Sequence, residues 1–83
     1  MERESQYTIS SVKTALKVLK LFDSAHKSMT LTENTERADM RKGTMVRVLT
    51  TQEEEGFVRY DEISKRYSLG MSIYVLSSNA FQF

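Results

Sequence analysis

Apolar positions recur at helical spacing early in the chain. Val12, Ala15, Leu16, Leu19 and Phe22 fall three and four residues apart, the period of one face of an α-helix. Lys13, Lys17 and Lys20 lie off that stripe, and Ser10 or Ser11 offers a capping hydroxyl at its start. Val18 and Leu21, with Thr14 and Ala25, make a second, narrower stripe. A helix with two apolar faces has two surfaces to cover. The broad stripe is expected on the core, and the narrow one on the chain's tail or a second subunit.

Residues 24–30 read as a loop leading into a short strand at Met29-Thr30-Leu31. Thr32 is the expected N-cap of a second helix, with Glu33 and Glu36 in the first turn, where the helix dipole favours anions. That helix should run to about Ala38 and turn tightly at Asp39-Met40; Asn34 and Thr35 stand where large aliphatics would be expected. A third helix is predicted from Arg41 to Glu55. Met45, Val48, Leu49 and Gln52 share one face of it; Gly43, Arg47, Thr50 and Glu54 share the opposite face, with Thr44 and Val46 at the borders. Gly56 is placed to end it as a left-handed C-cap. Phe57-Val58-Arg59-Tyr60 and Arg66-Tyr67-Ser68-Leu69, separated by a polar segment, read as a β-hairpin. Met71 to Phe83 is apolar, with Ile73, Tyr74, Leu76 and Ala80 compatible with a final helix.

This order predicts a mainly α fold with a small β-hairpin. Two helices joined by a tight turn and followed at once by a hairpin describe a winged helix-turn-helix, a three-helix core plus wing, here followed by a linker helix. The expected organisation is a flexible N-terminal arm over 1–9, the winged domain over 10–69, and a linker helix or tail over 70–83 that takes part in dimerisation.

Five segments resemble the IclR-type transcriptional regulators. Ser11-Val12-x-x-Ala15-Leu16-x-Val18-Leu19 looks like their first helix, and Thr30-Leu31-Thr32-Glu33 like the entry to their second. Lys42-x-Thr44-x-x-Arg47-x-Leu49 resembles their recognition helix. Glu53-Glu54-Glu55-Gly56-Phe57-Val58 resembles the helix-to-wing junction, and Arg66-Tyr67-Ser68-Leu69-Gly70 the exit from the wing. The resemblance implies an N-terminal DNA-binding domain, a linker helix, and a larger effector-binding domain absent from this chain. Against the family pattern, Asn34 and Gln52 replace Leu, Thr35 replaces Ala, Asp39 and Arg41 replace Gly and Pro, and Gly43 replaces Ser. Burying an amide without a partner costs roughly 1–3 kcal/mol, so Asn34 and Gln52 are expected to be hydrogen-bonded or partly wet. Asp39 is expected in the left-handed conformation that Gly would supply.

Composition narrows the chemistry. The 83 residues make one small domain, and twelve Lys and Arg against eleven Asp and Glu leave a net charge of +1. With no cysteine there are no disulfides or thiolate ligands, and the single His26 cannot build a histidine metal site. No apolar run approaches a membrane span, and the charged N-terminus lacks a signal core. A cytoplasmic setting is expected. No glycine-rich phosphate loop or catalytic constellation assembles, so neither an enzyme nor a cofactor is expected.

Charge distribution is more informative than its sum. From Met40 to Gln52 the chain carries Arg41, Lys42 and Arg47 and no acid, which favours phosphate. The expected double-stranded DNA contacts are Arg41, Lys42, Gly43, Thr44, Val46, Arg47 and Thr50 on the third helix, and Lys65 and Arg66 on the wing. Lys42 and Thr44 sit where side chains and free amides reach phosphate. Arg47 suits the O6 and N7 of guanine, and Val46 a thymine methyl. Glu53-Glu54-Glu55 is read as a solvated last turn pointing away from DNA, and Lys13, Lys17 and Lys20 as a solvated helix face. The apolar tail and the Val18/Leu21 stripe are expected to form a homodimer interface. The competing reading is a winged helix that binds protein rather than DNA, motivated by the weak second helix, Gly43 and the glutamate run.

Overall fold

A computed structural model describes residues 6–81 of the chain. Four helices and three strands follow one another as α1 (Ser10–Leu19), β1 (Ser28–Thr30), α2 (Leu31–Ala38), α3 (Lys42–Glu54), β2 (Val58–Asp61), β3 (Arg66–Leu69) and α4 (Met71–Ala80). This is the winged helix-turn-helix predicted from the element order. The arm expected over 1–9 falls mostly outside the described residues, as does Phe83 of the tail.

The core is Val18, Phe22, Met29, Met45, Leu49 and Val58, all buried, with Leu19, Leu21, Leu31, Ala38, Met40, Val48 and Tyr67 packed around it. On α1 the core takes part of each stripe: Leu19 and Phe22 of the broad one, Val18 and Leu21 of the narrow one. Val18 is 1% exposed, whereas Val12 and Leu16 of the broader stripe are 51% and 54% exposed. The helix is short enough that both stripes satisfy helical spacing. The packing partners choose between them, because α2 and α3 close over the Val18/Leu21 side. The helix also ends at Leu19 rather than Phe22, and the chain continues through tighter turns in which Leu21 N–H donates to Val18 O and Phe22 N–H to Leu19 O. Neither Ser10 nor Ser11 caps it: the N-cap is Ile9, with no side-chain bond.

The second helix starts two residues earlier than expected. Thr30, not Thr32, is its N-cap: the Thr30 hydroxyl accepts from Glu33 N–H at 3.1 Å and the Glu33 carboxylate accepts from Thr30 N–H at 2.9 Å. This reciprocal capping box satisfies two amides that a helix start leaves unpaired. Thr30 also ends β1, so strand and helix abut. Asp39 closes α2 with φ 54 and ψ 50, the left-handed conformation expected of it.

β3 lies at the centre of a three-stranded antiparallel sheet in the order β1-β3-β2. Met29 faces Tyr67 across one seam, and Tyr60 faces Tyr67 across the other. The Tyr60 and Tyr67 rings are 4.6 Å apart and tilted by 45°, so these aromatics stack on each other within the sheet. A double glycine crossing ties the wing to α3. Gly56 ends α3 at φ 81, Gly70 N–H donates to Phe57 O at 2.9 Å, and Ser72 N–H donates to Gly56 O at 2.9 Å. A Cβ on Gly70 would stand 2.4 Å from Gly56 O, which no side chain tolerates at a backbone atom.

The two buried amides are half-satisfied. Asn34 Nδ2 donates to Thr30 O at 3.0 Å and Gln52 Nε2 to Ala15 O at 2.6 Å, while Asn34 Oδ1 and Gln52 Oε1 are buried without a partner. A buried orphan acceptor costs roughly 1–3 kcal/mol, more than the net value of one ordinary hydrogen bond. Gln52→Leu removes the orphan and adds apolar burial against α1. It is expected to stabilise the domain by about 1 kcal/mol, a rise in Tm of roughly 4–8 °C for a domain this size. A lower Tm in thermal denaturation would show that the bond to Ala15 outweighs the orphan.

Candidate nucleic-acid interface

The exposed face of α3 is set by what its other face buries. Met45, Leu49 and Gln52 point into the molecule. A rotation of 100° per residue then turns Gly43, Val46, Arg47 and Thr50 outward, and all four are exposed, as are Arg41, Lys42 and Thr44 at the leading end. The seven residues expected to meet DNA are therefore all exposed, on the outer face and leading end of α3. Among the described residues no ion pair engages Arg41, Lys42 or Arg47. Their charge is available to an external partner.

The leading end of α3 has no side-chain cap; its N-cap is Arg41 in an extended conformation. The first amides of the helix therefore face outward with the positive end of its dipole. Gly43 has nothing within 4 Å of a would-be Cβ, so it leaves open space where another residue would project. The glutamates at 53–55 are exposed at the far end. At about 1.5 Å per residue, they lie roughly 15–20 Å from Lys42, so the helix is cationic where it leads and anionic where it trails.

The wing residues divide. Lys65 is exposed at the turn between β2 and β3, in a left-handed conformation at φ 62, with its N–H donating to Asp61 O at 2.7 Å. The Asp61 carboxylate organises this turn, accepting from the Ser64 hydroxyl at 2.7 Å and from the Ile63 and Ser64 amides. The Ser64 hydroxyl, then the Ile63 amide, hold the Asp61 carboxyl below its ordinary value, with a lesser contribution from the Arg59 charge. A depressed carboxyl contributes order to the turn above its unfolded value and loses it as pH falls through the folded one. Ile63, at the tip, is 94% exposed.

Arg66 is differently placed from the other expected contacts. Its Nε donates to the Ser28 hydroxyl at 2.9 Å, and its guanidinium reaches Ser28 O at 3.0 Å and the Glu33 carboxylate at 3.1 Å. It pins β3 to β1 and to the start of α2. Sequence alone gives no sign of this, because Ser28 and Glu33 are more than thirty positions away. Arg37 was likewise without a role in the sequence reading; it donates to Leu21 O and lies 3.8 Å from the Asp23 carboxylate. His26 stands in the same loop, its Nδ1 2.9 Å from Asp23 Oδ1.

A family model, the IclR helix-turn-helix domain, matches residues 11–62. The chain belongs to the IclR family. Among solved structures, an IclR transcriptional regulator from Alicyclobacillus acidocaldarius is 44% identical over 92% of this chain and 31% of its own, with a TM-score of 0.86. An ICLR regulator from Silicibacter sp. is 28% identical over 84% of this chain and 28% of its own, with a TM-score of 0.80. An IclR family regulator from Brucella abortus, 24% identical, shares the fold at a TM-score of 0.84 over 96% of this chain and 30% of its own. Comparison with curated proteins gave no match. The chain spans about a third of the length of these IclR regulators. The matched segment runs from the start of α1 to the wing turn, so it includes every expected contact except Lys65 and Arg66. The IclR helix-turn-helix is a DNA-binding unit, and no described helix is long and apolar enough to cross a membrane.

The bonds of Arg66 make a stability forecast. The exposed ion pair to Glu33 contributes at most about 1 kcal/mol, and the two bonds to Ser28 add to it. Arg66→Ala is expected to cost roughly 1–2 kcal/mol in thermal denaturation. An unchanged Tm would return Arg66 to the free cations of the wing.

Proposed function

We propose that this IclR domain binds double-stranded DNA sequence-specifically, with α3 in the major groove and the wing on the adjacent backbone. The observation that carries this reading is the leading end of α3: exposed, cationic and free of acid, on a helix held by a buried opposite face. Arg47 has the planar fork that pairs with guanine O6 and N7. Lys42, Thr44 and the first amides of α3 meet phosphate, and Arg41 adds charge beside them. Gly43 lets the backbone approach closely, Val46 meets a thymine methyl, and Thr50 reads or spaces the next position. Lys65 contacts backbone from the wing turn, while Arg66 holds the wing in place for it. A regulator of this kind works in the cytoplasm, and its response to an effector would belong to a further domain of the sort that the longer relatives have room for.

Arg47→Ala is expected to lower affinity by roughly 1–3 kcal/mol and to relax the preference at one base position, read by titration after binding-site selection with the purified chain. Affinity for the parent should fall steeply as salt rises. Unchanged affinity and preference would remove Arg47 from the readout. Salt-independent background binding by the parent would favour the protein-binding alternative.

The reading includes a homodimer, so that the operator is a pseudo-palindrome. The apolar surface that supports it differs from the sequence expectation. Val18 and Leu21 are committed to the core, and the exposed groups are Val12 and Leu16 on α1 and Tyr74, Val75 and Leu76 on α4. Exposed apolar side chains on two helices are surface that a second copy would cover. Sedimentation at tens of micromolar is expected to give twice the chain mass, and Leu76→Lys to reduce it; a parent of monomeric mass would overturn the dimer.

A further inference from the structure

Two grooves run along α1, and Thr44 of α3 lines both. One is bounded by α3 and carries the exposed Val12 and Leu16. The other, about 580 Å³, lies between α1 and the turn that joins α2 to α3. Four cations line it, Lys17 from α1, Lys20 from its C-cap, Arg37 from α2 and Arg41 from the N-cap of α3, and no acid does. Its apolar lining includes Leu21 and Met40. Arg37 is already engaged with Leu21 O and Asp23. Among the described residues no ion pair engages Lys17, Lys20 or Arg41. The two lysines are three positions apart, and the C-cap keeps a helical backbone at Lys20, so they stand side by side at the end of α1.

We infer that this groove takes the sugar-phosphate backbone of the duplex beyond the base pairs that α3 reads, with Lys17 and Lys20 on its phosphates. The inference rests on the DNA reading of α3 and extends it. Two features select this occupant. The first is charge: three unpaired cations with no opposing carboxylate in the lining match a row of phosphates. The second is continuity: Arg41 and Thr44 belong both to the groove and to the leading end of α3, so a strand leaving that end passes directly into it. The mixed lining also fits, because deoxyribose presents C–H edges to Leu21 and Met40 while the phosphates meet the ammonium groups on their flexible stems. Lys17 and Lys20, which read from sequence as a solvated face, become affinity determinants that lengthen the footprint without adding base preference.

The test is the Lys17→Ala/Lys20→Ala double variant, measured against duplexes of about 12 base pairs, close to one helical turn, and of about 30. Both side chains are exposed, so the variant should keep the parent's circular dichroism and Tm. On the long duplex, the slope of log affinity against log salt is expected to become shallower by about 2, near 0.9 for each lost phosphate contact. On the short duplex it should equal the parent's. An unchanged slope on the long duplex, or an equal loss at both lengths, would overturn the groove assignment. The reading of α3 is checked separately by Arg47→Ala, which should weaken binding to both duplexes. If Arg47→Ala binds like the parent while the double variant loses slope on the long duplex, the groove holds backbone and the α3 assignment falls instead.

Discussion

The burial of Met45 and Leu49 beneath α1, α2 and the sheet determines what the rest of this molecule presents. Both side chains are fully buried, and they lie one turn apart on α3. Together they fix the rotation of that helix about its axis. Turning it by one residue position would bring Val46 and Thr50 toward the core and expose a methionine or leucine, and a second position would bring Arg47 inward. Burying a side chain of that size contributes roughly 1.5–3 kcal/mol, and burying an unpaired guanidinium costs far more. The outward orientation of Arg47, Val46 and Thr50 is thus a consequence of core packing. Function at this surface is inherited from stability on the opposite one.

A second constraint joins α3 to everything that follows it. At Gly70 the backbone of Gly56 approaches too closely for any side chain, Gly56 itself takes a left-handed φ of 81, and Ser72 closes the crossing, its hydroxyl donating to Glu55 O at 3.0 Å. The end of α3, both strands of the wing and the start of α4 consequently meet at one point. The wing's angle to α3 is set there, and so is the direction in which α4 leaves. On the other side of the sheet, Arg66 fastens the wing to β1 and the capped start of α2. The wing is therefore held at both of its seams.

The departures from the family's usual residues show how a small core absorbs polar groups. Asn34 and Gln52 each find a backbone carbonyl for the amide nitrogen and leave the oxygen unpaired. Asp39 takes a left-handed backbone that costs an ordinary residue roughly 1–2 kcal/mol and Asp less, because its short side chain tolerates the conformation. Neither amide nor Asp39 lies on the exposed face of α3, whereas two other departures, Arg41 and Gly43, stand at its exposed leading end. The buried orphans lower the margin of the domain.

Much of this was legible in the residue order alone. Local signals have local causes: the periodicity of α3, the glycine that ends it, the alternation of the hairpin and the left-handed Asp39 are each determined by a few neighbouring residues. Hence the element order, the exposed set from Arg41 to Thr50 and the family resemblance could be read directly. What the sequence could not decide were choices between locally equal alternatives. Val12/Leu16 and Val18/Leu21 both form helical stripes, and only the closure of α2 and α3 over one of them buries it. Thr30 and Thr32 both cap well, and the register of β1 against β3, which ends the strand at Thr30, favours the first. Arg66 and Lys65 are adjacent cations, yet one is bound to Ser28 and Glu33 across the sheet and the other is exposed. In each case the deciding partner lies distant along the chain, and only the tertiary fold brings it near.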